Sequence, residues 1–185
     1  MPKKTPKYLL MAIVATVILA VAGGVWLLSG DDSAGGHDSR DRDDATSPKA
    51  PPAISRAYVP TRRVAGAGEL TAALNAAKPG DVIGLAAGKY EGTFSLAATG
   101  TEQHPVVVTG PKEAVLDAGG ITAGYGFHLV DSEYVVLQGF TVTNAQKGVV
   151  ADRVTASVID GLTVHGIGDE AIHLRAFSSD NVVQN

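Results

Sequence analysis

Two stretches of this chain lie over one another at a fixed offset. The segment "GFHLVDSEYVVLQGFTVTN", from Gly126, superimposes on "GVVADRVTASVIDGLTVHG", from Gly148, a displacement of 22 residues. The overlay sets Phe127 on Val149, Leu129 on Ala151, Leu137 on Ile159, Gly139 on Gly161 and Val142 on Val164. A third copy starts at Ala171, displaced by 23, with Ile172 on Val149 and Leu174 on Ala151. It continues with Val182-Val183 on Val158-Ile159 after one inserted residue. Upstream, Val106 lies 24 residues beyond Val82. A period of 22–24 residues is too short for paired-helix repeats, and no leucines recur at leucine-rich-repeat spacing. It fits one turn of a parallel β-solenoid, with three short strands per coil and aliphatic side chains stacked inward in columns.

Local signals agree. Short β-branched runs such as Val106–Val108, Val135–Leu137 and Val158-Ile159 are punctuated by Gly, Pro, Asn and Asp, a pattern of many short strands. One stretch has helical period: in "GELTAALNAAKPGD", Leu70, Ala73, Leu74 and Ala77 form an apolar stripe, and Pro79-Gly80 stops it. The expected fold class is therefore all-β, a solenoid of about 4–5 coils with a short N-terminal helix capping the first one. The chain contains no cysteine, which excludes disulfides, thiolate metal sites and a cysteine nucleophile.

The solenoid region is expected over residues 64–185. Before it, Tyr8–Leu28 is an uncharged run of 21 residues, long enough as a helix to span a bilayer. Lys3, Lys4 and Lys7 precede it and Asp31-Asp32 follow, so the C-terminal domain is expected outside the cell membrane. Residues 1–28 read as a single-pass anchor; the alternative is a secretory signal cleaved after Ala22. Residues 29–63 are polar, acidic and then proline-rich, and read as a disordered linker.

The segments "AALNAAKPGDVIGLAAGKYEG", "PVVVTGP" and "YVVLQGFTVTN" resemble the entry coils of right-handed parallel β-helix proteins of the pectate-lyase-like superfamily. The stretch "GDEAIHLRAFSSDNVVQN" resembles one exported branch of it. The resemblance implies a right-handed parallel β-helix and a carbohydrate-active protein, a polysaccharide lyase or glycoside hydrolase, with a polysaccharide as partner. It does not assign the reaction, since one solenoid carries unrelated activities. Relatives continue for further coils, so this chain is expected to be part of a longer solenoid.

Chemistry is expected on the outward positions between the inward-facing ones, as two columns: His128, Val150, His173 and Val130, Asp152, Arg175. Asp152 and Arg175 become neighbours on adjacent coils, with Asp169 and Glu170 in the turn before His173. A base, a cation and carboxylates in one groove are what removal of a proton beside a uronate carboxylate requires. The catalytic candidates are Asp152, His173 and Arg175; the binding candidates are His128, Asp169 and Glu170. The last two are also candidate Ca²⁺ ligands, which makes Ca²⁺ the one cofactor considered. The competing reading is a cross-strand Asp152–Arg175 salt bridge with solvated carboxylates and an exposed Lys147. His165 and His173 lack the spacing of a helical zinc motif.

A non-catalytic solenoid for carbohydrate binding, adhesion or envelope assembly is the alternative. Nucleic acid is not expected as a partner: residues 64–185 carry 13 acidic and six basic side chains and no basic stripe.

Overall fold

The computed structural model describes residues 56–185. Strand β1 (Arg62–Val64) and helix α1 (Ala67–Asn75) precede the coils. The first coil contains β2 (Val82–Leu85), β3 (Gly88–Glu91) and β4 (Phe94–Leu96). The second contains β5 (Val106–Thr109), β6 (Ala114–Asp117) and β7 (Tyr125–Glu133), and the third β8 (Val135–Gln138), β9 (Thr141–Ala145) and β10 (Lys147–Thr155). The fourth contains β11 (Val158–Asp160), β12 (Thr163–Ile167) and β13 (Ile172–Arg175), and β14 (Val182–Gln184) opens a fifth. Corresponding strands pair in parallel into three sheets, β1-β2-β5-β8-β11-β14, β3-β6-β9-β12 and β4-β7-β10-β13. The fold is an all-β parallel solenoid.

The repeat alignment gives the true register in the later coils. Phe127 pairs with Val149 and Val149 with Ile172, while Leu137 pairs with Ile159 and Ile159 with Val183. In the early coils it slips. Val82 pairs with Val107 rather than Val106, and Val106 pairs with Val135, a displacement of 29 residues. A one-residue slip exchanges the two faces of a strand, so the correction matters for side-chain placement. Much of the longer displacement is taken up in the glycine-bearing turn between β6 and β7, where Gly119 and Gly124 have φ of 85° and 80°.

Inward columns form one core that includes Ile83, Val108, Leu137 and Ile159 from the largest sheet and Phe127, Leu129, Val149 and Ala151 from the sheet that ends in β13. Phe127 and Phe140 meet with ring centroids 6.1 Å apart. Burying such a ring contributes about 2–3 kcal/mol. The helix does cover one end: Leu70, Ala73 and Leu74 are buried in this core, with Ala77 packed against it. Gly126 and Gly148 are required by close approach. A Cβ at Gly148 would lie 2.3 Å from the Ala171 carbonyl oxygen, and one at Gly126 would lie 2.2 Å from a Val142 methyl.

A second apolar stripe runs outside the six-stranded sheet. Val82, Val107, Val136 and Val158 form it, with Tyr58 and Val182 packed against it. The unalternating run Val106–Val108 marks a strand buried on both faces. Residues assigned to the linker take part: Thr61 Oγ1 accepts from the Val82 N–H at 2.9 Å, and Gln138 Nε2 donates to the Arg56 carbonyl at 3.1 Å. Pairing thus begins upstream of Val64. The apolar run Tyr8–Leu28 and most of the 29–63 segment lie outside the described residues. No helix among the described residues is long and apolar enough to cross a membrane.

Candidate functional site

The sheet β4-β7-β10-β13 positions the candidate residues. Its register places Ser95, His128, Val150 and His173 in one row and Val130, Asp152 and Arg175 in another. Between these rows Leu129 and Ala151 point into the core. Both outward columns expected from the repeat are therefore present, although Val150 is fully covered. One more row lies a residue before Gly126 and Gly148, where Tyr125 pairs with Lys147.

Asp152 is the hub. It is 8% exposed, and a buried carboxylate needs partners to offset its lost hydration. Arg175 grips it with two bonds, Nε to Oδ1 at 2.5 Å and Nη2 to Oδ2 at 2.9 Å, and His128 Nε2 meets Oδ2 at 2.8 Å. The guanidinium, first, and then the imidazole contact hold the Asp152 carboxyl down at about 2, against the opposing effect of burial. Asp152 holds Arg175 more firmly protonated in return. Arg175 Nη2 also donates to Tyr125 Oη at 3.0 Å, and its guanidinium carbon sits 5.4 Å from the centre of that ring. Tyr125 in turn meets His128 edge to face, centroids 5.1 Å apart. The salt bridge expected as the competing reading exists, but it belongs to a four-residue network.

Protonation follows from this geometry. An ionised carboxylate only accepts hydrogen bonds, so His128 Nε2 carries the proton that it shares with Asp152. In the neutral ring, Nδ1 then holds a free lone pair. Arg175 uses Nε and Nη2, which leaves the two N–H groups of Nη1, and its side chain is 35% exposed.

Lys147 is not the exposed lysine expected from its sequence context. Its side chain is 14% exposed, and Nζ bonds Asp169 Oδ2 at 2.7 Å and the Glu170 carboxylate. These two contacts, Asp169 first, raise the lysine pKa, and Lys147 lowers that of Asp169. With an ammonium seated between them, Asp169 and Glu170 do not fit a Ca²⁺ site, which needs six to eight oxygen donors (about that number in proteins) and no cation at its centre. No group of three or more potential metal ligands occurs among the described residues. His165 stands on β12, in a different sheet from His173, with its Nδ1 3.4 Å from Thr143 Oγ1. His173 Nδ1 is enclosed without a hydrogen bond, 3.5 Å from Glu170 Oε1.

Sequence reasoning passed over Tyr125 and misplaced Lys147. The signal was available: extending the same overlay one residue upstream stacks Tyr125, Lys147 and Glu170 at displacements of 22 and 23.

The fold resembles that of pectate-lyase-like parallel β-helix proteins, polysaccharide lyases among them. Among solved structures, the chain is similar to the crystal structure of an alginate lyase from Paenibacillus sp. str. FPU-7, with 36% identity and a TM-score of 0.63. The likeness covers 68% of this chain and 44% of that one, so the chain spans under half the length of that enzyme. No family model matches the chain, and no curated protein matches it.

Proposed function

We propose that the β-solenoid acts on an acidic polysaccharide, cleaving a uronate polymer by β-elimination at the outward face of β7, β10 and β13. The Tyr125–His128–Asp152–Arg175 network carries the proposal, and the likeness to an alginate lyase supports it. Arg175 Nη1 offers two N–H groups to the substrate carboxylate, and neutralising that charge acidifies the adjacent carbon. His128 Nδ1 takes the proton from this carbon. The released electron pair forms the ring double bond and expels the glycosidic oxygen on the neighbouring carbon. Tyr125 gives its hydroxyl proton to that oxygen, since its own lone pair already accepts from Arg175. Asp152 touches no substrate; it positions His128 in the useful tautomer and holds the guanidinium still. Of the two groups in this contact the base is His128 and not Asp152, because a carboxylate held near 2 has little affinity for a proton.

A second reading rests on charge. Around this face Lys147 and Arg175 oppose Asp152, Asp169 and Glu170, so with neutral histidines the carboxylates outnumber the cations. Such a face favours a hydroxyl-rich, uncharged glycan held without cleavage. The two readings separate on one assay: ultraviolet absorbance of unsaturated uronate when the full chain meets a panel of uronate polymers, repeated with His128→Ala. Product from the parent chain, falling by about 10²-fold or more in the variant, supports elimination. No product from any uronate polymer, with binding to a neutral glycan instead, supports the second reading.

Placement at the outer side of a cell membrane is part of the same proposal. It is supported by the apolar run Tyr8–Leu28 with lysines before it and aspartates after it. Protease shaving of whole cells tests it: loss of the domain with residues 1–28 retained in the membrane is the expected result, and a product starting at Gly23 in culture fluid overturns the anchor.

A further inference from the structure

A recess opens where β7 and β10 leave the candidate site and bend toward the next sheet. Its volume is about 460 Å³, and Thr99, Glu133, Thr155 and Ser179 line it. These four residues come from successive coils and stand in register: Thr99 pairs with Glu133, Glu133 with Thr155, and Thr155 with Ser179. None of their side chains makes a hydrogen bond within the described residues, so three hydroxyls and one carboxylate face solvent along a single line. At the rim Asp131 and Arg153 close a two-point ion pair, Nε to Oδ1 at 2.5 Å and Nη2 to Oδ2 at 3.0 Å.

The coil nearest Ser179 carries an irregularity. From Asp152 to Thr155 is three steps, whereas from Arg175 to the paired Ser179 is four, so one residue has been inserted. Within the insertion Phe177 is 98% exposed and holds a φ of 66°. Left-handed backbone recurs at the bends of these coils, at Tyr134, Arg153, Ala156 and Ala176 among others, so the feature particular to Phe177 is its solvent-exposed ring.

From these observations we infer that the recess is a saccharide subsite, continuing the candidate active face along the solenoid axis, with Phe177 as a stacking platform at its end. The inference rests on the reading that this domain acts on a polysaccharide, and it adds the path of the chain. A carboxylate flanked by hydroxyls matches the donor–acceptor sequence of sugar hydroxyls. The apolar C–H face of a pyranose matches an exposed phenyl ring. Adjacent rows stand about 4.8 Å apart, close to the length of one sugar residue in an extended polymer. Among the described residues lining the recess the cation is Arg153, already neutralised by Asp131, so the subsite reads hydroxyls rather than the uronate carboxylate. A phosphate ligand is disfavoured for the same reason.

Titration of the isotopically labelled full chain with a uronate hexasaccharide, followed by amide chemical shifts, tests the inference. Shifts are expected at Thr99, Glu133, Thr155 and Ser179. Thr155→Val and Phe177→Ala should each weaken binding of the hexasaccharide by about three- to ten-fold. Phe177→Ala should not lower the melting temperature, since the ring is solvent-exposed, so weaker binding would not reflect misfolding. Binding with shifts confined to the Tyr125–Arg175 face, and unaltered affinity in both variants, would overturn the subsite while leaving the proposed activity standing. Absence of any saccharide binding would overturn both.

Discussion

Replacing Asp152 with Asn removes the charge that organises the site while keeping its shape. The parent carboxyl is held at about 2 from an ordinary value of 3.8. A depression of that size corresponds to about 2 kcal/mol of native-state stability near neutral pH. Arg175 remains 35% exposed and can be rehydrated, so the loss should stay near that figure, below the roughly 3–5 kcal/mol seen when one partner of a fully buried pair is removed. The sign follows from the direction of the shift. A carboxyl with a lowered folded-state pKa stabilises above its unfolded pKa and loses that contribution as pH falls through the folded value. Urea unfolding of the parent and of Asp152→Asn should therefore differ by about 2 kcal/mol at pH 6, with the gap closing between about pH 4 and pH 2. A gap that does not change over this range, or no gap at neutral pH, would refute the ionic account of the network. Activity should fall by about 10²-fold or more in the variant, because an amide can present its N–H to His128 and no longer fixes the tautomer.

Other substitutions probe the scaffold and the second ion cluster. Gly148→Ala should destabilise the domain by about 2–4 kcal/mol in urea unfolding, since its Cβ would meet a backbone carbonyl 2.3 Å away. Phe127→Ala, at a fully buried core position, should cost about 3–5 kcal/mol by the same measurement. Leu74→Asp should lower soluble yield far more than Lys78→Asp, because only the first opens the capped end of the sheets. Lys147→Met should leave Asp169 titrating closer to its ordinary value, which carboxyl-carbon NMR would detect as an upward shift in its midpoint.

The fold was legible because a solenoid writes its period into the chain. Where coils have nearly equal length, as at Phe127, Val149 and Ile172, sequence displacement alone gives the strand register and hence which residues face out. Where a turn lengthens, as between β6 and β7, counting fails, and Val82 was set against the wrong valine by one place. The outer valine stripe was hidden for a different reason. Its cover is Tyr58, in a stretch whose polar and proline-rich composition gives no burial signal. In the site, Asp152 and Arg175 were visible as a pair. Tyr125 and the carboxylate-bound Lys147 were not, because each precedes a glycine and looks like turn punctuation until the overlay is extended to them. Which nitrogen of His128 carries its proton depends on the ionisation of Asp152, and sequence has no access to that.

Elimination and hydrolysis differ in whether water enters the product, so the oxygen balance of the fragments distinguishes them. The full chain should be incubated with a uronate polymer in water enriched in heavy oxygen, and the oligosaccharides weighed by mass spectrometry. Elimination gives fragments that take up no heavy oxygen in the cleavage step, and every fragment with a newly formed non-reducing end is one water lighter than the hydrolysis product of equal length. Fragments carrying one heavy oxygen per cleaved bond, or an intact polymer after prolonged incubation, would contradict it.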